Sequence, residues 1–197
     1  MTENPAALAT PAPGAASAWD VRVKVGSLLL VVVGVVLDLW SKAYMMGWLG
    51  MDPDLEGSAR SHTVIPGFFD FSGNWNRGVT FGLAQGWTYP ILVFTVVACV
   101  GLTLWLLMTR SRSRLLHVAL ALILAGAVGN LHDRWTWHKV RDFVLVYWKD
   151  PSIWQWPAFN LADSMIVVGV ILILWRELFG HRAPVPAAKG APAAKGS

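Results

Sequence analysis

Residues Phe159–Trp175 read FNLADSMIVVGVILILW. From Ser164 onward the stretch is a greasy helix, yet it opens with an amide, Asn160, and a carboxylate, Asp163. An acid at the mouth of a segment suited to hydrocarbon is a candidate site by default, because its burial costs free energy that only a function repays. The reading of the whole chain turns on whether the rest of the sequence supplies partners for that acid.

Three further apolar segments accompany this one, which runs on to Leu178. They are Val25–Leu37, which can continue as helix to about Met46, then Trp87–Met108, then Leu115–Leu131. Each is near the roughly 20 residues needed to cross a bilayer. Across the 197 residues, 55% are hydrophobic and 14% charged, which excludes an ordinary soluble domain and points to the membrane class. Arg22 and Lys24 precede the first segment as they would in a signal peptide. No small-x-small cleavage site follows, and Asp38 and Lys42 continue a helical pattern, so it reads as a retained helix. Residues 1–19 and 183–197 are rich in Ala, Pro and Gly and are expected to be disordered, leaving 20–182 as one domain. The single Cys99 excludes an internal disulfide.

Arg110, Arg112 and Arg114 crowd the link between the second and third segments. The positive-inside rule makes that link cytoplasmic. Both termini are then cytoplasmic, and residues 47–86 and 134–158 face outward. Along the helices, Asp133 lies about 28 Å from Arg114, Asp163 about 28 Å from Arg182 and Asp38 about 21 Å from Lys24. Three acids from three helices therefore gather near the outer edge of the membrane. The net charge of +4 resides mainly in the cytoplasmic parts and tails. It reads as topology, with no nucleic-acid partner expected.

Local patterns sharpen this cluster. Asn130–Arg134 (NLHDR) closes the third segment and Asn160–Ser164 (NLADS) opens the fourth. In each, an Asn precedes an Asp by three positions, so both side chains share a helix face. Either motif alone fits an interfacial helix cap; two at matching depth favour a site. Asp38 and Lys42 in DLWSK are spaced i,i+4 in the favoured acid-first order, which suits an ion pair as well as a catalytic role. Ser41 beside Lys42 is no nucleophile–base dyad, since adjacent helical residues point about 100° apart. Val64–Gly73 should form short strands, and Gly78 and Gly82 in Asn74–Gly82 (NWNRGVTFG) suggest tight turns beside a ligand. Asp142 lies in Val140–Trp148 (VRDFVLVYW), on an extended stretch near the helix mouths, either as a surface acid paired with Arg141 or as part of the cluster. His132 and His138 fall on different helix faces, so no metal site is expected.

Two acids in contact in a dry site cannot both ionise cheaply, so they share a proton. The ionised member can activate water while the protonated member polarises a carbonyl. Such chemistry needs no metal or cofactor. On residue patterns alone, Asp38, Asp133, Asp142 and Asp163 all remain candidates for the pair. A transporter or channel would instead need polar groups through the membrane centre. A non-catalytic assembly factor would tolerate loss of an acid.

The motifs DLWSK, NRGVTFG, GNLHDR, VRDF and FNLADS, in that order over about residues 20–180, resemble those of lipoprotein signal peptidase, the type II signal peptidase of bacteria. The resemblance implies an all-α membrane protein of four transmembrane helices, with a small extracytoplasmic β-sheet and a short extracytoplasmic helix. It implies a monomeric, multi-pass intramembrane aspartic endopeptidase of the inner membrane, with its site near the periplasmic face. The implied substrate is a diacylglyceryl-modified prolipoprotein, cut just before the lipidated cysteine. Membrane lipids and a lipopeptide inhibitor such as globomycin are the other implied partners. The implied catalytic pair is Asp142 and Asp163, supported by Asp38, Lys42, Asn76, Gly78, Asn130, Asp133, Arg134 and Asn160. Asp133 is expected to orient its neighbour Arg134. Two positions depart from the family pattern: Arg141 stands where an apolar residue is usual, and could perturb Asp142 beside it, and His132 stands where an aliphatic or aromatic residue is common.

Overall fold

The computed structural model describes residues 13–52, 60–78 and 87–179, with side chains from residue 21 onward. Among the described residues four helices and three strands follow in order: α1 (Pro13–Leu49), β1 (Ser61–Ile65), β2 (Phe69–Asn76), α2 (Thr88–Met108), α3 (Arg114–Trp137), β3 (Val140–Val146) and α4 (Leu161–Phe179). The expected tails fall largely outside the described residues. Residues 13–19, assigned to the disordered tail from composition, form the first turns of α1. Pro13 stands at the first helical position, where its missing N–H costs nothing, and Ala15, Ala16 and Ala18 are strong helix formers.

Among the described residues three helical stretches, Val21–Leu49, Thr88–Met108 and Arg114–Trp137, are long and apolar enough to cross a membrane. The 19 residues of α4 include Asp163, Arg176 and Glu177 at the two ends of an apolar centre. α3 is the hub: α1, α2 and α4 all pack against it, and Ala119, Leu120, Ala121 and Ala125 are wholly buried there. Small residues allow this closeness. A Cβ at Gly126 would strike the Ala162 carbonyl of α4, and one at Gly129 would strike the Asp38 carboxylate of α1. The outward faces of α1, α2 and α4 expose Val, Leu, Ile and Phe. Cys99 of α2 packs in the apolar core with Leu106, Leu120 and Leu124.

The sheet is antiparallel in the order β1-β2-β3. Ile65–Phe68 is a turn with Pro66 and Gly67 at its centre. Gly67 has φ +76° and Phe68 N–H donates to the Ile65 carbonyl at 3.0 Å, the geometry a Pro-Gly pair favours. The strands expected within Val64–Gly73 are thus present, and β2 runs on to Asn76. β3 pairs with β2 although a helical hairpin separates them in sequence, matching Asn74 with Asp142 and Asn76 with Val140.

α3 begins at Ser113, whose hydroxyl accepts the Leu116 N–H at 3.3 Å, and it ends at His138 in a left-handed conformation. It runs past Leu131, where the apolar pattern stops, because Asp133 and Arg134 find partners at the sheet. Only Lys139 separates His138 from β3, so the end of α3 and the start of β3 lie side by side. The sheet therefore caps one end of the bundle, where α1 ends and α4 begins. The short extra helix expected from the resemblance does not occur among the described residues.

Candidate active site

The mouth of α4 explains the motif at Asn160. Asn160 Oδ1 accepts the Asp163 N–H at 3.0 Å, and Asp163 Oδ2 accepts the Asn160 N–H at 3.1 Å. This reciprocal pairing is a capping box, which satisfies N–H groups a helix start would otherwise leave bare. A third N–H, that of Ala162, donates to Asp38 Oδ1 of α1 at 2.9 Å. The cap is thus built partly from another helix.

From there a continuous polar lattice crosses the bundle. Lys42 Nζ donates to Asp38 Oδ2 at 2.7 Å and to Asn130 Oδ1 at 2.8 Å. Asn130 Nδ2 donates to Asp163 Oδ1 at 2.8 Å. Asn160 Nδ2 reaches Asp142 Oδ1 at 2.7 Å, Asn130 Oδ1 at 3.2 Å and the Arg141 carbonyl at 3.3 Å. Asn76 Nδ2 donates to Asp142 Oδ2 at 3.0 Å, and Asn76 Oδ1 accepts the Gly78 N–H at 3.0 Å. Asp38, Lys42, Asp133, Asp142 and Asn160 are each at most 1% exposed. Among the described residues no buried side-chain nitrogen or oxygen lacks a hydrogen-bond partner, as such burial demands. Ser41 Oγ bonds the Asp38 carbonyl and takes no part with Lys42.

The structure brings all ten residues singled out from sequence to one end of the bundle, but sorts them by role. Asp142, Asp163, Asn76, Asn130 and Arg134 line a cavity of about 640 Å³. Asp38, Lys42, Asp133 and Asn160 lie behind its wall. Gly78 meets the cavity through Arg134, whose Nη2 donates to its carbonyl at 3.2 Å. The remaining lining is mainly apolar, from Ile91, Phe94 and Ala98 of α2 to Ile166 and Val167 of α4, with Trp156 and Phe159 from the segment before α4. Sequence reading assigned none of these apolar positions to the site. Their only signal was that α2 and α4 each present more apolar faces than packing on α3 consumes.

Asp142 is no surface acid. Burial, reinforced by the charge of Asp163, pushes its carboxyl up to about 8 against the bonds from Asn76 and Asn160. Nor is Arg141 its partner. Adjacent strand residues point to opposite faces, so Arg141 turns away and grips Asp133. Its Nε donates to Oδ2 at 3.0 Å, its backbone N–H to Oδ2 at 3.1 Å, and its Nη2 to Oδ1. Asp133, expected to orient Arg134, accepts these hydrogen bonds from Arg141 instead of standing beside Arg134 alone. On α3 the two side chains diverge, and Arg134 points into the cavity. His132 is half-exposed, with Nδ1 3.6 Å from Asp133 Oδ1. Among the described residues no cluster of His, Cys, Asp or Glu could hold a metal ion.

A family profile described as signal peptidase (SPase) II matches residues 30–179. The chain belongs to the signal peptidase II family. Similar relatives bear the name lipoprotein signal peptidase. That of Ectopseudomonas mendocina is 41% identical over 150 residues, 74% of this chain and 83% of the relative. That of Pseudomonas aeruginosa is 35% identical over 167 residues, 83% of this chain and 93% of the relative. A solved bacterial membrane enzyme shares the fold with a TM-score of 0.65 and 29% identity, covering 78% of this chain and 87% of that one. Family membership makes the chain a lipoprotein-processing protease, and its long apolar helices make it a multi-pass membrane protein.

Proposed function

We propose that this signal peptidase II is an aspartic endopeptidase working within the inner membrane, with Asp142 and Asp163 as its catalytic acids. It removes the signal peptide from diacylglyceryl-modified prolipoproteins by cutting before the lipidated cysteine. The observation that carries this reading is that Asp142 and Asp163 are the two acids lining the cavity. Asp38 and Asp133 are buried behind it, each engaged by a cation.

In this reading Asp142 keeps its proton at neutral pH and donates it to the scissile carbonyl oxygen as water attacks the carbon. Asp163 takes the water's proton. It sits in the first turn of α4, where the helix dipole favours a negative charge. When the tetrahedral intermediate collapses, a gem-diol proton returns to Asp142 and Asp163 passes its proton to the departing cysteine nitrogen. Both acids are regenerated, and no cofactor enters. Asn76, Asn130 and Asn160 hold the acids in place. Arg134 binds substrate backbone near the Gly78 carbonyl.

The 19-residue α4, about 28 Å at helical rise, serves as the fourth transmembrane helix, its charged residues at the two membrane surfaces. The Arg-rich link between α2 and α3 is cytoplasmic, as are both termini. The sheet and the acids therefore face the periplasm. The apolar cavity between α2 and α4 receives the lipid chains from the outer leaflet, and a lipopeptide such as globomycin competes for it. The enzyme acts as a monomer. A conduction pathway fits less well, because the polar groups gather at one end while the rest of the cavity wall is apolar.

The test is cleavage of a lipidated prolipoprotein by Asp142→Asn and Asp163→Asn, each checked for membrane insertion. Both should be inactive. Turnover by either variant removes that residue from the pair, and full activity of both places the chemistry on groups other than these two acids.

A further inference from the structure

We propose that Arg141 is a positioning residue, forking onto Asp133 to lock the start of β3 to the end of α3 and so hold Asp142 between Asn76 and Asn160. The proposal rests on the reading of Asp142 as a catalytic acid. Residue 141 is fixed from three elements. Asp133 of α3 receives its backbone N–H and two guanidinium nitrogens. Asn160, at the start of α4, donates to its carbonyl at 3.3 Å. Met46 Sδ of α1 lies 3.4 Å from Nη1. With residue 141 pinned on one face of the strand, Asp142 can point only to the other, toward the cavity.

The sheet alone does not secure this position. β3 is an edge strand, and its pairing with β2 is irregular between Phe71 and Asn74, where Asn74 lies opposite Asp142. The fork supplies register where the ladder is interrupted. It also balances charge. Lys42 lies 2.7 Å from Asp38 and 3.7 Å from Asp133. With Arg141 in place, each of these two buried acids has its own cation, and Lys42 remains directed at Asp38 and Asn130.

The groups facing Asp142 are Asp163 from α4, Asn160 from the start of α4, Lys42 from α1, Arg134 from α3 and Asn76 from β2. All stay unchanged in Arg141→Met, Arg141→Lys and the double variant Asp133→Leu/Arg141→Met. The measurements are kcat, KM for lipidated precursor, the alkaline limb of the kcat–pH profile and Tm, with Asp142→Asn alongside. A misplacement near 1 Å costs on the order of 100-fold, so Arg141→Met should lose roughly tenfold to hundredfold in kcat with KM little changed, and its alkaline limb should move. The double variant exchanges the ion pair for apolar groups, a change often neutral for stability. It should regain Tm without regaining kcat, and it decides the matter if Arg141→Met fails to fold. Arg141→Lys keeps the charge without the fork and should fall between wild type and Arg141→Met. Wild-type kcat and an unmoved alkaline limb in the double variant or in Arg141→Lys would overturn the proposal, leaving the fork a purely structural pair. If Asp142→Asn still cleaves, the catalytic assignment fails and the positioning role with it. If Asp142→Asn is inactive while the double variant has wild-type kcat, only the positioning role fails.

Discussion

Asp142 couples folding to pH. Its carboxyl is raised to about 8 in the folded protein against about 3.9 in an unfolded chain. Between those values the folded state holds a proton that the unfolded state has lost. The associated stability is fully present below about pH 4 and disappears as pH rises toward about 8. Tm in detergent should therefore fall across that window, and the part due to Asp142 should vanish in Asp142→Asn. An identical slope in the variant would show that other groups carry it. Cleavage should decline above about pH 8 as the proposed proton donor empties. At neutral pH Asp142→Asn should melt at or above wild type. The new amide faces one donor with another donor, at a cost of about 1 kcal/mol, but it has no carboxyl that must take up a proton on folding. Asp133 behaves differently, because its removal strands a buried guanidinium. Asp133→Ala should lose roughly 3–5 kcal/mol, seen as a large drop in Tm. Asp133→Asn keeps a neutral acceptor for Arg141 and should retain weak but measurable cleavage.

At the scale of elements, the close packing of α3 holds the polar lattice in register. Gly129 matters most, since any side chain there displaces the carboxylate that meets both Lys42 and the Ala162 N–H. Gly129→Ala should cost about 1–3 kcal/mol through overpacking and should weaken cleavage as well. Gly101→Ala, on α2 with nothing within 4 Å, should leave both unchanged or slightly raise Tm. If the two variants melt alike, close approach at Gly129 is not what holds α1 and α3 together. The polar motifs were legible in sequence because a polar residue in an apolar segment has few reasons to be there. Asn160 and Asp163, three apart at a helix start, announced both a cap and a site. The partner of Arg141 was not legible. Which face of β3 it takes follows from strand alternation, but what waits on that face follows from the tight turn at His138, which a sequence pattern does not reveal. The end of α3 was missed for a similar reason. Periodicity tracks apolar burial, and its last turns are held by Arg141 and by the Gly78 carbonyl instead.

For the whole molecule, the decisive feature is that α2 and α4 both lean on α3 with an apolar cavity between them that reaches the two acids. A cavity so lined recognises substrate mainly by burying hydrocarbon, and each buried methylene contributes about 0.8 kcal/mol. The diacylglyceryl group should therefore dominate binding, while the acids contribute mainly to the chemical step. Ala98 lies on the α2 wall of the cavity, whereas Val97, next to it, is 63% exposed on the outer face. Ala98→Phe fills space that lipid would occupy. Excluding about two methylenes should raise KM for a lipidated precursor roughly tenfold, with kcat changed much less. Val97→Phe, which adds its ring outside the cavity, should change neither. An unlipidated precursor should bind poorly to wild type and should be indifferent to Ala98→Phe, since it has no chains to displace. The measurement is KM and kcat for both precursors with wild type and the two variants in one detergent. If Ala98→Phe weakens lipidated and unlipidated precursor equally, the cavity that reaches Asp142 and Asp163 binds peptide and not lipid, and the lipid chains must lie elsewhere.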